Sequence, residues 1–339
     1  MTTATNRRLL LEARPKGLCA PGDLKLHESP LSPLDEGQAL ARVKYLSIDP
    51  TMRVWMGERA TYLPAIPLGN VMRCFGLAEI VESRNPALAA GEKIVGLVGM
   101  QEYLLVNAAD ARGFNKIPHI PGVPDSAFLG VLGVTGITAY FGMTDVAKPQ
   151  PGETLVVSAA AGATGSVAGQ IGKIHGCRVV GIAGTDDKCQ WLTGELGFDA
   201  AINYKHADWK AQLAAATPKG VDIDFENVGG EIMHATFGRM NLHGRVALCG
   251  LISGYTTDQP NLGDYATLIV KRLRVQGFLI LDYAPRFAEA ISQLAQWKMA
   301  GKLKDRETIV DGIANATSAI NMLFSGANTG KLLVKLTKD

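Results

Sequence analysis

Apolar and polar positions form their clearest pattern between Thr154 and His175. Residues 154–158 are a largely apolar run rich in β-branched side chains, which predicts a buried strand. Small residues fill positions 159–165 and predict a tight turn. Apolar residues then recur at spacings of four and three, as in a helix with one buried face: Val167, Ile171 and Ile174. Strand, turn and helix in this order predict the start of a βαβ unit.

The same alternation continues as far as residue 278. It predicts further strands at 178–183, 200–204, 221–227, 245–249 and 273–278, and helices at 186–196, 207–216 and 230–238. Six strands joined by crossover helices indicate an α/β fold with a doubly wound parallel sheet. Residues 250–266 are a long polar stretch between two of these strands, which predicts a lid or binding loop.

Residues 1–125 follow a different pattern, in which prolines interrupt short apolar runs and no helical period is sustained. Strands are predicted at 39–46, 76–82, 93–98 and 102–106, as in a β-barrel-like domain. Residues 126–143 are expected to be helical in part. The last predicted elements are a helix at 285–299, a strand at 308–310, a helix at 313–324 and a strand at 331–336. We therefore expect a domain of residues 1–125, completed by 308–339, and a second domain of residues 126–307.

Composition narrows the class of protein. The net charge is +2 without a block of like charges, so we expect no nucleic-acid partner. No apolar run reaches the ~18 residues that a membrane span needs, and the N-terminus lacks a signal-peptide core, so we expect a cytoplasmic protein. The five cysteines are scattered without a CxxC pair, which argues against a disulfide framework or a zinc cluster. We expect no bound metal.

The turn after the strand at 154–158 carries a glycine fingerprint, Ala160-x-Gly162-x-x-Gly165. Gly162 lets the backbone approach a pyrophosphate closely, and Gly165 lets the helix pack near the strand. The start of the helix offers unpaired N–H groups and a positive dipole end to phosphates. This context predicts a dinucleotide cofactor.

Residues 183–188 indicate which dinucleotide it is. An acidic residue at the end of the second strand would bind the ribose 2′-hydroxyl of NAD, but Asp186 and Asp187 come slightly late. We expect Asp186 to cap the next helix instead. Lys188 follows in the first turn, and a 2′-phosphate needs a cation. The sequence therefore favours NADP over NAD.

Several catalytic arrangements are missing from the sequence. There is no Ser-x-x-x-Tyr-x-x-x-Lys pattern and no GxSxG elbow. Hydride transfer is then expected to depend on positioning, with one polar group on the oxygen of the acceptor. A C=C bond conjugated to a carbonyl suits this, because a hydroxyl can stabilise the charge that builds on the carbonyl oxygen.

Seven segments together resemble one family. They are residues 6–8, 45–53, 68–72, 101–103, 159–173, 225–230 and 328–331. In these segments the chain resembles the zinc-independent medium-chain dehydrogenase/reductases, in the group of prostaglandin reductases, alkenal double-bond reductases and curcumin reductases. The resemblance covers almost the whole chain. It implies a Rossmann domain inserted in a GroES-like β-barrel domain that both chain ends form, and it implies a homodimer.

The resemblance also implies roles for individual residues. Gly162, Ala163, Thr164 and Gly165 would hold the pyrophosphate, and Lys188 and Tyr204 the 2′-phosphate. Other cofactor contacts would come from Asn227, Cys249, Gly250, Ser253, Tyr255, Phe278, Leu279, Ile280 and Asn328. Tyr255 would also place its hydroxyl near the reacting carbonyl.

The chain departs from the family at three positions. Thr51 stands where the family commonly has Tyr, Met100 where it often has Trp, and Thr256 where it often has Asn. Thr51 and Met100 are expected near the substrate, so the pocket is expected to be reshaped. Tyr62 is a further candidate to supply a hydroxyl from the β domain.

These observations predict NADPH-dependent reduction of the C=C bond of α,β-unsaturated ketones or aldehydes, with hydride going to the β-carbon. Two alternatives remain open: an NADPH:quinone oxidoreductase on the same scaffold, and an NADPH-binding protein without catalysis. The strand and apolar residues at 272–282 are expected to pair edge to edge in a homodimer.

Overall fold

The fold is described from a computed structural model, which covers residues 5–257 and 265–337. The strands are β1 Thr5–Leu11, β2 Leu24–Pro30, β3 Gln38–Ile48, β4 Phe75–Ser83, β5 Lys93–Leu97, β6 Tyr103–Asn107, β7 Asn115–Lys116, β8 Thr154–Val157, β9 Arg178–Ala183, β10 Ala200–Asn203, β11 Val221–Glu226, β12 Met240–Leu248, β13 Arg274–Gly277, β14 Glu307–Asp311 and β15 Lys331–Lys335.

The helices connect and cover these strands. They are α1 Thr51–Trp55, α2 Val134–Phe141, α3 Ala163–Ile174, α4 Asp186–Gly194, α5 Trp209–Ala216, α6 Gly230–Arg239, α7 Tyr265–Lys271, α8 Phe287–Met299 and α9 Ala316–Ser325. Within the described ranges, no helix is both long and apolar enough to cross a membrane.

The chain forms two compact units. The first contains residues up to 129, residues 307–328 and residues from 332 onward. The second contains residues 130–306 together with 329–331. The short segment 329–331 lies within the predicted C-terminal part of the β domain, but its backbone bonds to the second unit. Gly330 N donates to Ala161 O at 2.8 Å, and Lys331 N donates to Arg306 O at 2.8 Å.

The second unit is built on a parallel sheet. Its strand order, for the described residues, is β10-β9-β8-β11-β12-β13. In order of sequence this is 3-2-1-4-5-6, the arrangement of a dinucleotide-binding sheet, with a switch point between β8 and β11. All four residues of β8 are buried, as a central parallel strand covered by helices on both faces requires. The predicted α/β fold with a doubly wound sheet is confirmed.

The first unit is built on strands that pair mainly antiparallel. β3 pairs with β4, β6 and β15, all antiparallel, so the last strand of the chain completes a sheet that residues near the N-terminus begin. The core beneath it contains fully buried side chains such as Leu46, Met52 and Ile80. Strand β15 is held in this sheet because its residues Leu332 and Val334 are buried in the same apolar core.

Several local predictions were incomplete. The N-terminal strands β1 and β2 were not predicted. Most residues of β2 are exposed, so apolar and polar residues do not alternate clearly along it. The short helix α1 and the helix α7 were not predicted either. Residues 258–264 of the predicted lid loop lie outside the described residues, and α7 begins directly after them. The predicted cap Asp186 is wrong, because Thr185 caps α4 through a hydrogen bond from Lys188 N to its Oγ1 at 3.3 Å.

Candidate functional site

The glycine turn joins β8 to α3 in a strained, close-packed conformation. Ala159 has a φ of +46°, in the left-handed region that non-glycine residues rarely adopt. A Cβ at position 165 would lie 2.5 Å from the carbonyl oxygen of Ala159, so that position accepts only glycine without a shift of the backbone. Helix α3 has Gly162 as its N-cap, and a glycine has no side chain to bond the first N–H groups of the helix. Those groups, on Ala163, Thr164 and Gly165, are suited to a phosphate.

A cationic cluster lies at the carboxyl ends of the next two strands. The ring of Tyr204, after β10, lies against Gly184, after β9, where a glycine Cβ would be 3.1 Å from the ring. Lys188, in the first turn of α4, is partly buried. Burial lowers the pKa of its ammonium group, and the neighbouring charge of Lys205 lowers it further. Two lysines that repel each other in this way are suited to an anion with more than one charge.

Lys205 is a residue that the sequence reasoning missed. It directly follows Tyr204, and its position beside Lys188 depends on the turn after β10. A search for cations next to every residue that follows a strand of the sheet would have found it.

A hydrogen-bond network holds the loop after β11. The Glu226 Oε1 atom accepts hydrogen bonds from Ser158 Oγ at 2.9 Å and from Gly229 N at 2.7 Å. Asn227 N donates to Ser158 Oγ, and Asn227 Nδ2 donates to the Ser158 carbonyl, both at 2.7 Å. The loops after β8 and β11, on either side of the switch point, are therefore fixed to each other.

Two buried carboxyl groups on β11 have raised pKa values. Burial raises the pKa of Asp224 well above its ordinary value, and the neighbouring charge of Glu226 adds to this. Burial also raises the pKa of Glu226, although hydrogen bonds from Gly229, Val228 and Ser158 oppose the effect. Both Asp224 oxygens are buried, and neither has a hydrogen-bond partner among the residues that the structure describes. Burial without a hydrogen bond therefore disfavours the charged form of Asp224.

The loop after β12 lies at the same end of the sheet, where the strands have their carboxyl ends. Cys249 N and Gly250 N both donate to the carbonyl of Glu226, at 2.9 and 3.1 Å. Ser253 Oγ donates to the carbonyl of Val228 at 2.5 Å. Burial and, to a smaller extent, the charge of Glu226 raise the pKa of the Cys249 thiol to about 12. A thiol with so high a pKa is not suited to act as a thiolate nucleophile.

Tyr255 lies in this loop with its hydroxyl turned back to the backbone. The hydroxyl accepts a hydrogen bond from Leu251 N at 3.3 Å. A Cβ at Gly250 would be 3.2 Å from the same oxygen, so a larger residue there would crowd it. A hydroxyl that accepts from an N–H group can still donate its own proton to a ligand oxygen.

The segment after β13 is partly buried and aromatic at its start. The Phe278 ring packs edge to face with Phe225, with ring centroids 6.4 Å apart. Leu279 and Ile280 follow and are also partly buried. The predicted cofactor residues of the second unit thus all follow the carboxyl ends of its strands, where ligands bind in open parallel sheets.

The predicted substrate residues lie in the first unit. Thr51 Oγ1 and the Tyr62 hydroxyl form a hydrogen bond, and Trp55 Nε1 donates to the same Tyr62 oxygen at 3.1 Å. Tyr62 is 42% exposed, whereas Met100 is fully buried in a core that also contains Trp55. The structure therefore brings Thr51 and Tyr62 together and places Met100 in the interior.

Asn328 is also a residue of the first unit. It is buried, with 8% of its surface exposed, and directly precedes the 329–331 segment.

The residues of the second unit fit an NADP cofactor. The α3 N-terminus offers N–H groups where a pyrophosphate needs donors, and the turn has no room for a side chain at 165. Lys188 and Lys205 offer positive charge beside Tyr204. Among residues 5–257 and 265–337, no three His, Cys, Asp or Glu side chains are arranged to hold a metal ion.

Comparisons with known proteins agree with this arrangement. Residues 7–115 match the N-terminal domain of oxidoreductase, and residues 163–296 match a family described as zinc-binding dehydrogenase. The chain is 40% identical to the NADPH-dependent curcumin reductase of Escherichia coli strain K12, over 98% of each protein. It is 35% identical to an NADP-dependent 2-alkenal reductase of Nicotiana tabacum, over 99% of this chain and 98% of that protein.

A solved structure is similar over the same length. CurA from Vibrio vulnificus in complex with NADPH has a TM-score of 0.92 and 38% identity, covering 98% of this chain and 100% of that chain. Similarity over nearly the full length of each relative shows that the chain belongs to the zinc-independent medium-chain dehydrogenase/reductases, in the group of the curcumin and alkenal reductases.

Proposed function

We propose that this protein is an NADPH-dependent reductase of the C=C bond of α,β-unsaturated ketones or aldehydes. The observation that carries the proposal is the glycine turn and the Lys188–Tyr204 cluster at one edge of the sheet, in a chain 40% identical to an NADPH-dependent curcumin reductase. The 2-alkenal reductase relative has a conjugated C=C substrate by name. The second unit is proposed to bind NADPH, and the first to bind the carbonyl substrate.

The α3 N-terminus, at Gly162–Gly165, is proposed to hold the pyrophosphate. Lys188 and Tyr204 are proposed to hold the 2′-phosphate. Asn227, Gly250, Ser253 and the segment from Phe278 to Ile280 are proposed to bind near the nicotinamide, with Cys249 and Asn328 as further contacts. This assignment is supported by their common position at the ends of parallel strands, apart from Asn328.

When bound, NADPH supplies the hydride that the β-carbon of the substrate accepts. Negative charge then develops on the carbonyl oxygen of the substrate, and solvent supplies the proton that the α-carbon takes up to complete the reduction. Tyr255 is proposed to donate a hydrogen bond to that oxygen, which lowers the energy of the transition state. The Glu226 and Ser158 network keeps the loops around this position fixed, so little reorganisation is needed during the reaction.

Thr51 and Tyr62 are proposed to contact the substrate. Their hydrogen bond, together with the one from Trp55, fixes the Tyr62 hydroxyl. The Arg73 guanidinium lies over the Trp55 ring, 5.6 Å from its centroid. Met100 is proposed to affect the substrate only through packing beneath these residues.

The test is the consumption of NADPH, followed by absorbance, with panels of enones, enals and quinones and with NADH in parallel. We expect turnover of enones or enals with NADPH and weak turnover with NADH. Turnover of quinones alone would instead assign a quinone reductase. Binding of NADPH without turnover of any panel would contradict the proposed activity.

Tyr255→Phe tests the catalytic assignment. Loss of one hydrogen bond to a developing oxyanion lowers kcat by about 10²-fold. The matched control is Tyr283→Phe, which removes a hydroxyl from a ring stacked on Phe141 in the same unit. We expect the control to keep its kcat, and equal losses in both variants would contradict a role for Tyr255 in the chemistry.

The proposed assembly is a homodimer formed along β13. This strand is at the edge of the described sheet, and all four of its residues are exposed. Nearby apolar side chains are also exposed, with Ile269 at 76% and Val270 at 65%. Edge pairing between two copies would cover both the unpaired backbone groups and this apolar surface.

The proposed location is the cytoplasm. All five cysteines are free, and a reducing compartment keeps thiols in that state.

A further inference from the structure

An acidic residue stands at the start of α4, close to the proposed site for the 2′-phosphate. Asp186 is the first residue of α4 and follows β9 after two residues. In proteins that bind NAD, an acidic side chain near the end of this strand accepts a hydrogen bond from the ribose 2′-hydroxyl. A carboxylate turned toward a 2′-phosphate would repel it. Selection of NADPH therefore depends on where this carboxylate is held.

The carboxylate is bound to the turn after β10. Asn203 Nδ2 donates to Asp186 Oδ1 at 2.8 Å, and His206 Nε2 lies 3.1 Å from the same oxygen. Asn203 is buried, with 8% of its surface exposed, whereas Asp186 is exposed. A buried amide is a fixed partner, and an exposed carboxylate adopts the position that its fixed partners give it.

Asn203 also orders the cationic side of the cluster. Its Oδ1 accepts a hydrogen bond from Lys205 N at 3.1 Å, and its carbonyl accepts one from His206 N at 3.1 Å. One side chain therefore bonds both the acidic residue of α4 and the turn that carries Tyr204 and Lys205. Loss of this amide would release the carboxylate and loosen the cationic turn together.

We propose that Asn203 is a positioning residue that determines cofactor specificity, because it keeps the Asp186 carboxylate bound to the β10 turn instead of to the nucleotide. The inference rests on the proposed 2′-phosphate site at Lys188 and Tyr204. It goes further than that proposal, since it assigns selection to a residue that carries no charge. It predicts that Asp186 harms NADPH binding when its carboxylate loses one of the partners that hold it, Asn203 first of all.

The experiment is a calorimetric titration with two probes, 2′,5′-ADP and 5′-AMP, which differ by the 2′-phosphate. For Asn203→Ala we expect binding of 2′,5′-ADP to weaken by about tenfold or more, the effect of losing roughly 1.4 kcal/mol. Binding of 5′-AMP is expected to change by much less. Asp186→Asn alone is expected to keep the preference for 2′,5′-ADP.

The double variant Asn203→Ala/Asp186→Asn separates the inference from a general loss of structure. We expect it to recover most of the lost affinity for 2′,5′-ADP, because no carboxylate remains to be released. Asp187→Asn, which removes a charge from the same helical turn, is the matched control and is not expected to rescue Asn203→Ala. Equal weakening of both probes, or no recovery in the double variant, would overturn the inference.

Two further variants keep the result interpretable. If Asn203→Ala fails to fold, His206→Ala removes the other partner of Asp186 and is expected to shift the preference in the same direction. No shift in that variant would then overturn the inference. Lys188→Ala tests the site itself. If this variant binds each probe as tightly as the wild type does, the proposed site and the inference are both overturned. A selective loss in Lys188→Ala without one in Asn203→Ala would overturn the inference alone.

Discussion

At the scale of single residues, the turn after β8 leaves no space for a side chain at position 165. The Cβ of Gly165→Ala would lie 2.5 Å from the Ala159 carbonyl oxygen, in a turn already strained by the left-handed φ of Ala159. We expect Gly165→Ala to lower the free energy of unfolding by about 1–3 kcal/mol and to weaken NADPH binding. Urea unfolding and a fluorescence titration with NADPH measure the two effects.

Gly194→Ala is the matched control for this substitution. Gly194 lies in α4 with open space around its Cβ position. Alanine favours a helix over glycine by about 1 kcal/mol, so this variant should be as stable as the wild type or more so. A Gly165→Ala protein with wild-type stability and affinity would show that the turn adapts to a side chain.

Asp224 gives a second prediction at this scale, for stability against pH. Its folded-state pKa is raised by burial above the ordinary value of 3.8. The unfolded chain therefore loses its proton first as pH rises, and the free energy of unfolding falls from about this pH toward the raised pKa. Val156 and Val246 are its register partners on the neighbouring strands, so an apolar side chain fits there.

We expect Asp224→Val to be more stable than the wild type at neutral pH by about 1–3 kcal/mol, the cost of a buried group without a partner. The difference in the free energy of unfolding between the two proteins should shrink in acid. The wild-type Asp224 carboxyl is then protonated in both the folded and the unfolded state. Urea unfolding at several pH values measures it. A difference that stays constant with pH would contradict the assignment of Asp224 as the titrating group.

Sequence reasoning at this scale identified residue types better than their roles. Lys188 was predicted to be a cation at the nucleotide, and the structure places it beside a second lysine, Lys205. Asp186 was predicted to be a cap, but Thr185 has that role. Adjacent residues of similar capping ability cannot be separated until the helix position is known.

At the scale of elements, the segment before β15 is anchored on the glycine turn. Gly330 has a φ of +67°, forms a bridge with Gly162 and donates to Ala161 O. A Cβ there would lie 1.9 Å from the carbonyl oxygen of Arg306. We expect Gly330→Ala to destabilise the protein by about 3 kcal/mol or more, from overpacking and backbone strain together. Thermal unfolding measures the loss.

Gly301→Ala isolates the steric part of this effect. Gly301 has a similar φ of +69°, but no atom of the described residues lies within 4 Å of its Cβ position. It is expected to cost only the strain of a left-handed alanine, about 1 kcal/mol. Equal losses in the two variants would show that the contact with Arg306 does not matter.

The pairing of elements also explains two of the segments on which the family resemblance rests, residues 6–8 and 101–103. Asn6 Nδ2 donates to the Tyr103 carbonyl and Asn6 Oδ1 accepts from Tyr103 N, both at 2.9 Å. Arg7 Nε donates to Glu102 Oε2 at 2.9 Å. Residues 6–8 and 101–103 therefore join β1 to the start of β6 and to the residues just before it. Their role is structural, although they helped to identify a family of enzymes.

At the scale of the whole molecule, the proposed dimer depends on one exposed sheet edge, and a second edge provides the comparison. β13 ends the sheet of the second unit and β14 ends a sheet of the first, in the described residues. Val275→Lys places a charge on the β13 edge, so we expect it to shift the protein from dimer toward monomer. Sedimentation velocity measures the mass of each species.

Ile309→Lys is the matched control on the other edge. Ile309 lies on β14 and is 46% exposed, close to the 38% of Val275. We expect it to remain dimeric. A wild-type protein that sediments as a monomer, or a dimer that survives Val275→Lys and dissociates in Ile309→Lys, would contradict the proposed interface.

The sequence by itself determined the order of the strands in the second unit, most of the helices between them, the glycine turn and the preference for NADP. Local spacing of apolar residues and the conformational needs of glycine are properties of short segments, so they can be seen in the sequence. It also determined the family, because many short motifs agree over the whole chain.

Only the tertiary structure decided which distant residues meet. The bond from Gly330 to Ala161, the Thr51–Tyr62 pair and the binding of Asp186 by Asn203 join segments separated by 11 to 169 positions. Such contacts depend on strand order and on how loops leave the sheet, and no periodic pattern reports them. The burial that raises the pKa of Asp224 has the same origin, since a strand with three acidic residues, such as β11, becomes central only when its neighbours pack around it.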